Sequence, residues 1–258
     1  MDDMFKSALD NAAKCILADV NQSSEDLQRT DQWFEDRRGR WTGSKIIDFM
    51  SKGRGTAWGV KAKAYMLSKF MERLRGTCNT PIKSTADMRR GTELEPYSIG
   101  AFELKYPELI IEPCKFILFP NCETAGASPD GKAVNRLTRK TVAGYETKSR
   151  RDDNTYEKAF ERVHEKHPEF WQLTSEMIAL EVDHLYYCHY TDMHKDPFDL
   201  QVQIVELSND HVLQLYERIE DADAILDQCF EMVGDFKGLA PHVFTERLIE
   251  VKNFIYAR

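Results

Sequence analysis

The sequence feature that most constrains the fold is a strand-forming stretch that starts at a sharp corner and ends in an acid and a lysine. Pro129-Asp130-Gly131 favours a tight turn, because proline presets one backbone angle and glycine tolerates the next. Glu146 and Lys148 follow in a run that we predict to be a strand, residues 142–148. Side chains alternate between the faces of a strand, so this acid and lysine share a face and their chain neighbours point to the other. We expect Asp130 to lie beside the end of this strand.

Helix-forming sequence flanks this part of the chain on both sides. The spacing of apolar residues predicts helices over 3–20, through Trp33 and Phe34, from Thr42 through KIIDFMSK, over 57–75, from Ser84 to Tyr106, over 155–166, 169–181, 210–232 and 241–257. Strands are predicted at 109–119, about 123–128, 142–148, 184–191 and 200–207. There is no long linker and no internal repeat. We therefore expect one α/β domain over residues 1–258, with a central mixed sheet between helices, a helical N-terminal part and C-terminal helices.

Composition limits the class of protein. The 258 residues are 42% hydrophobic, and no apolar run approaches the roughly 18–20 residues that a membrane span needs. The six cysteines are scattered without a CxxC pair, which argues against a zinc ribbon or a disulfide scaffold and favours a cytoplasmic location. A net charge of −8 disfavours non-specific coating of nucleic acid but allows a local basic patch, for which residues 37–54 and 132–151 are candidates.

Two carboxylates that converge at a strand end form an oxygen site suited to Mg²⁺ or Mn²⁺. Asp130 and Glu146 are the candidates, and the carbonyl oxygen of Thr147 could add a further ligand. A lysine beside the ion can position a water and favour loss of its proton, which is the equipment for in-line attack on a phosphodiester. Taken alone, the corner aspartate could equally be a turn-former, and Glu146 with Lys148 could be an exposed surface pair.

The neighbouring residues give the pattern more specificity. Asp…Glu-x-Lys resembles the PD-(D/E)xK nuclease superfamily. GASPDG (126–131) followed by YETKS (145–149) is similar to the core of the phage lambda exonuclease and YqaJ-type viral recombinase family. Three further segments resemble that family in the same order: WFEDRRGRWTGS (33–44), MRRGTELEP (88–96) and FWQL (170–173). The resemblance spans about residues 30–205, and one departure is Thr174, which stands where the family has a second glutamine.

The resemblance implies a role for each matching residue at the reaction centre. Glu95 would join Asp130 and Glu146 around the metal, Lys148 would activate the attacking water, and Gln172 would orient the lysine or the water. The alternative for Glu95 is a solvated position in a charged helix segment.

Two residues of the first motif would bind the DNA end. Arg37 and Ser44 match positions that hold the 5′-terminal phosphate in the family, and a planar guanidinium suits phosphate oxygens. The alternative for Arg37 is a surface charge in an arginine-rich stretch. The nearby Trp33 and Phe34 are expected to anchor the core.

The resemblance also implies a function: a 5′→3′ exonuclease that degrades linear double-stranded DNA with Mg²⁺ or Mn²⁺, two ions per site, and leaves a 3′ single-stranded tail. The expected partners are DNA ends, a single-strand annealing protein and, in a trimeric ring, copies of the same chain. Two alternatives stay open. One is an endonuclease or RNA-degrading nuclease on the same core, and the other is a non-catalytic adaptor that binds DNA ends.

Overall fold

The structure, a computed structural model, describes residues 30–55, 57–77, 85–235 and 240–258. The helix predicted over residues 3–20 lies outside the described residues. Of the described helices, none is both long and apolar enough to pass through a membrane.

Most helices lie where the apolar spacing predicts them. The α-helices in the described ranges are α1 (Asp31–Arg37), α2 (Ile46–Phe49), α3 (Val60–Arg75), α4 (Ala86–Lys105), α5 (Asp153–Tyr156), α6 (Phe170–Leu180), α7 (Asn209–Val233) and α8 (Pro241–Ala257). Two short 3₁₀ helices, Gly43–Lys45 and Glu157–Phe160, precede α2 and follow α5. The end of α3 is marked by Gly76, whose φ of 66° is the left-handed conformation that glycine adopts without strain.

The strands form two sheets. They are β1 (Trp41–Thr42), β2 (Leu109–Pro113), β3 (Ile117–Phe119), β4 (Cys122–Ala127), β5 (Gly131–Asn135), β6 (Thr141–Ser149), β7 (His184–Tyr190) and β8 (Leu200–Glu206). The larger sheet has the order β2-β5-β6-β7-β8, and the smaller has the order β1-β4-β3. The expected α/β class is confirmed, with two sheets where the sequence predicts one central mixed sheet. The chain crosses between the sheets after Pro113 and again at the Pro129 corner.

The central strand of the larger sheet is β6. It pairs antiparallel with β5 and parallel with β7. The parallel pairing places Glu146 opposite Tyr187 and Lys148 opposite His189. Strand β6 pairs with β5 up to Tyr145 and with β7 from Gly144 to Ser149, so Glu146 and Lys148 are paired with β7 alone.

The predicted elements and the structure show three larger differences. The predicted strand 109–119 is broken after Pro113, which has no N–H to donate to a ladder, and its halves β2 and β3 belong to different sheets. The segment 131–135 was not predicted as a strand, yet β5 bonds to both β2 and β6.

The third difference is the predicted helix 155–166, which ends at Phe160. Gln203 of β8 explains the early end, because its Nε2 donates to the carbonyl oxygens of Ala159 and Glu161, each at 2.8 Å. These side-chain bonds hold the segment against the sheet in a non-helical path.

One helix joins the hydrophobic cores. Trp171 and Ile178 of α6 pack in the core that includes Trp41 and is shared with the small sheet and the long helices. Leu173, from the same helix, packs in a second core against β7. Because α6 contacts both sheets, it fixes how the corner between them sits over β6.

Gly126, four residues before Asp130, lies where two backbone segments approach closely. A methyl group at this position would overlap the carbonyl oxygen of Ile117 and lie 2.6 Å from the ring of Phe116. Strands β3 and β4 pair at this point, so the neighbours cannot move apart without breaking the ladder.

We expect Gly126→Ala to lower the free energy of unfolding by about 1–3 kcal/mol, as overpacking does in a tight site. Gly100→Ala is the matched control. Gly100 lies inside α4, and a methyl group at this position would have no neighbour within 4 Å. This control should raise stability by about 0.5–1 kcal/mol through helix propensity. Thermal and urea unfolding measure both, and equal stability of the two variants would contradict the close approach.

Candidate active site

Glu146 and Lys148 meet on one face of β6, as predicted. The Nζ atom of Lys148 lies 2.5 Å from Oε1 of Glu146. On the opposite face, the Oγ atom of Ser98 lies 2.8 Å from the hydroxyl of Tyr145 and 2.7 Å from that of Thr147. Ser98 thus ties β6 to α4 from behind and fixes the face that carries the acid and the lysine.

Asp130 and Glu146 clamp the corner to the strand. The Oδ2 atom of Asp130 accepts the backbone N–H of Thr147 at 2.9 Å. In return, the N–H of Asp130 points to Oε2 of Glu146 at 3.4 Å. Each carboxylate therefore bonds to the backbone beside the other, and we call this reciprocal pair the corner clamp.

Glu95 interacts electrostatically with both acids of the corner clamp. Burial, and then repulsion from Glu146, raises the pKa of Glu95 to about 7. Burial also raises the pKa of Asp130 well above its ordinary value, with repulsion from Glu146 and Glu95 as further causes. Charge on Glu146 therefore disfavours ionisation of both Glu95 and Asp130, and Glu95 adds to the effect on Asp130.

Gln172 reaches the clamp from α6. Its Nε2 atom donates to Oε1 of Glu146 at 2.7 Å and to Oε1 of Glu176 at 2.8 Å. Glu176 was not identified from the sequence. Its only sequence signal is that it lies four residues after Gln172, on the same face of a largely buried helix.

Lys148 is held in its charged form. Burial alone would lower its pKa, but attraction from Glu146 and Asp130 outweighs burial and raises it. Such an ammonium does not act as a proton acceptor. It can instead hold a water or a phosphate oxygen and favour the negative charge that develops there.

The donor set suits a hard cation. Carboxylate oxygens are the ligands that Mg²⁺ and Mn²⁺ prefer, and the acids here exceed the charge of Lys148. One oxygen of Glu176, Oε2, is buried with no hydrogen-bond partner in the described part of the chain. Within that same part, no three acidic, histidine or cysteine side chains converge as a ready-made metal cage. The residues therefore fit a divalent ion in chemistry, and the ligand set of Glu95, Asp130, Glu146 and Thr147 stays a prediction.

Arg37 and Ser44 both lie next to the end of β4. Arg37 donates to the hydroxyl of Ser128, two residues before Asp130. Ser44 is exposed in the 3₁₀ helix, and a methyl group on the preceding Gly43 would lie 3.0 Å from Cβ of Ala127. The structure thus places both predicted phosphate-binding residues beside the corner that carries Asp130.

Aromatic rings support Arg37. Its guanidinium carbon lies 3.7 Å from the ring centre of Trp33 and 5.0 Å from that of Phe116. The expectation that Trp33 and Phe34 anchor the core was wrong, because α1 has no buried residue. Trp33 is instead half-buried, and the guanidinium of Arg37 packs on its ring.

The corner clamp, the Glu-x-Lys strand and the flanking helices define the restriction-endonuclease-like, or PD-(D/E)xK, class of fold. Within that class, the chain belongs to the family of the YqaJ-like viral recombinase domain, whose family model matches residues 32–209. No curated protein sequence matches the chain.

Solved structures agree on the fold. The crystal structure of LHK-Exo, an alkaline exonuclease from Laribacter hongkongensis, aligns with a TM-score of 0.66 and 23% sequence identity over 78% of this chain and 95% of that chain. The structure of LHK-Exo in complex with dAMP gives the same values. A phage related exonuclease from Haemophilus somnus 129PT aligns with a TM-score of 0.57 and 15% identity over 76% of this chain and 96% of that one.

The raised pKa of Glu95 makes a prediction about stability and pH. The folded protein holds this proton more tightly than the unfolded chain, whose glutamate has an ordinary pKa of 4.5. The contribution of Glu95 to the free energy of unfolding therefore falls as pH rises from about 4.5 to about 7. In EDTA, Glu95→Gln should remove this loss, so its Tm should fall less than the wild-type Tm between about pH 5 and about pH 8.

Glu93→Gln is the control, because Glu93 is an exposed acid on the same helix. It should keep the wild-type dependence of Tm on pH. Parallel curves for wild type and Glu95→Gln would contradict the coupling of Glu95 to the clamp.

Proposed function

We propose that this chain is a metal-dependent 5′→3′ exonuclease that acts on linear double-stranded DNA and leaves 3′ single-stranded tails for recombination by strand annealing. The corner clamp carries the proposal, since it presents Asp130 and Glu146 together with the ammonium of Lys148. Members of the wider fold class differ in substrate, so the polarity rests on the position of Arg37 beside the same corner.

The residues divide the work of hydrolysis. Glu95, Asp130 and Glu146, with the Thr147 carbonyl, would hold two Mg²⁺ or Mn²⁺ ions, which would supply Lewis-acid stabilisation of charge on the phosphate oxygens. The ammonium of Lys148 holds the attacking water and favours loss of its proton. The water gives up a proton to solvent and its oxygen bonds to phosphorus as the bond from phosphorus to the 3′-oxygen breaks. The 3′-oxygen takes up a proton from solvent, and a 5′-mononucleotide is released.

Gln172 keeps the Glu146–Lys148 pair in place. Its amide donates to the same carboxylate oxygen, Oε1 of Glu146, that binds Lys148. With that oxygen bonded twice, the other oxygen of Glu146 faces the corner, where a phosphate would have to approach.

Arg37 and Ser44 would capture the 5′-terminal phosphate. The guanidinium, placed by Trp33 and Phe116, offers a planar set of donors suited to phosphate oxygens. Capture of an end is a requirement of an exonuclease and not of an endonuclease. The related LHK-Exo has been solved with dAMP, a 5′-mononucleotide of the kind that this reaction releases, which supports the proposal.

The proposal includes the setting of the reaction. We assign the function to a single nuclease domain over residues 1–258 that works in the cytoplasm, with DNA ends as substrate. A single-strand annealing protein is the proposed recipient of the 3′ tail. A trimeric ring would account for processive digestion, because an enclosed substrate does not diffuse away between cuts.

The first test is a time course on linear duplex labelled at the 5′ end or the 3′ end, with Mg²⁺. We expect the 5′ label to appear first as mononucleotide and digestion to stop in EDTA. Lys148→Met should lower kcat by about 10²–10³-fold, the range typical of losing one donor that stabilises developing negative charge. Lys140→Met, just before the start of β6 at its other end, is the matched control and should keep wild-type kcat.

The same assay separates the alternatives. Prompt cutting of covalently closed circles, or of RNA, would favour an endonuclease or an RNA-degrading enzyme. Binding of DNA ends without digestion by the wild type would favour the adaptor.

The second test concerns the DNA end. Arg37→Ala should raise KM for 5′-phosphorylated duplex by about 10- to 100-fold, the equivalent of one or two charge-assisted hydrogen bonds, and should change KM little for 5′-hydroxyl duplex. Arg40→Ala is the control, because Arg40 donates to the main-chain carbonyls of Glu123 and Asp36. It should affect both substrates equally. An equal effect of Arg37→Ala on both substrates would contradict phosphate capture.

A further inference from the structure

Glu176 is a buried acid to which the roles described above give no task. It lies one helical turn after Gln172 on α6, and its relative exposure is 1%. A buried carboxylate is costly unless it is paired or bonded. Attraction from Lys148 does not compensate, because burial, followed by repulsion from Glu146, raises the pKa of Glu176 well above its ordinary value. A side chain kept at this cost points to a function.

The hydrogen bonds of Gln172 indicate what that function is. The amide nitrogen of Gln172 donates to Glu146 at 2.7 Å and to Glu176 at 2.8 Å. These two bonds use both of its hydrogens. A flipped amide would set its carbonyl oxygen against Oε1 of Glu146 and would lose the bond to Oε1 of Glu176, so the two acids together favour the observed orientation of Gln172. Without Glu176, Oε1 of Glu146 would be the one remaining acceptor of these two bonds.

The fixed amide in turn fixes Glu146. Oε1 of Glu146 is bonded to Gln172 and to Lys148, while Oε2 faces the N–H of Asp130. Rotation of the Glu146 carboxylate would break all of these contacts. The chain Glu176–Gln172–Glu146–Lys148 therefore runs from the helix interior to the ammonium that meets the substrate.

We propose that Glu176 is a positioning residue for the hydrolysis proposed above: it anchors the Gln172 amide, which holds Glu146 and Lys148 in register. This inference rests on the proposed function. Glu176 acts only through Gln172 and touches neither substrate nor metal.

The test is a double-mutant cycle on this pair. Glu176→Leu keeps the approximate volume but removes the acceptor, and it should lower kcat by about 10- to 100-fold with KM for DNA unchanged, the range for loss of an outer support. Gln172→Leu should lower kcat by a similar factor. The double variant Gln172→Leu/Glu176→Leu should lose no more than Gln172→Leu alone, because Glu176 acts through Gln172.

Two further variants separate positioning from general loss of structure. Glu176→Gln keeps a carbonyl oxygen that can accept from Gln172, so it should restore most of the kcat that Glu176→Leu loses. Ser175→Ala removes a buried hydroxyl that donates to the Trp171 carbonyl of its own helix, and it should keep wild-type kcat. Thermal unfolding of each variant reports any loss of fold.

Calorimetric titration with Mn²⁺ gives a readout that does not depend on activity. Because Oε2 of Glu176 has no partner among the described residues, the competing role for this acid is a metal ligand. Positioning predicts the wild-type Mn²⁺ stoichiometry in Glu176→Gln. Loss of a binding equivalent would overturn the proposal in favour of a ligand, and additive effects in the cycle would overturn it in favour of a separate structural role.

The wild-type control distinguishes failure of this inference from failure of the proposed function. A wild type that digests no duplex removes the proposed function, and the positioning role with it. A wild type that digests DNA while Glu176→Leu keeps full kcat overturns the role of Glu176 alone.

Discussion

Repulsion among acids around a single lysine is the constraint on which the described site depends. The Lys148 ammonium interacts with Asp130, Glu146 and Glu176, from the corner before β5, β6 and α6. Glu95 of α4 adds a further acid, which interacts with Glu146 and Asp130. Such a cluster costs folding energy in the absence of a counter-ion, and the rest of the fold must hold it together. Glu146 and Lys148 accordingly stand on a strand that is paired with β7, and Glu176 stands on a helix that is packed in the core.

The division of the strands between two sheets brings Asp130 close to Glu146. The chain leaves the small sheet at Ala127 and enters the large one at Gly131, so Asp130 lies at the crossing. Helix α6 packs against both sheets and carries Gln172, whose amide bonds to Glu146.

The sequence predicts well what depends on local pattern. The shared face of Glu146 and Lys148 follows from strand alternation, and the long helices follow from apolar spacing. It predicts poorly what depends on distant partners. Strand β5 is short and carries a lysine among small residues, so only its pairing with β2 and β6 makes it a strand. The role of Glu176 cannot be predicted from its spacing to Gln172 alone, because the Gln172 amide bonds to Glu146 only when α6 packs on β6.

The bond from Arg37 to Ser128 links the region beside the corner to the residue that grips the strand terminus in the proposed reaction. Only Pro129 separates Ser128 from Asp130, and proline is the least flexible residue in the chain's repertoire. The distance between Arg37 and Asp130 is then set by one hydrogen bond and one rigid backbone residue. In the proposed reaction, this fixed distance would make each cycle remove a fragment of constant length, whatever the base sequence.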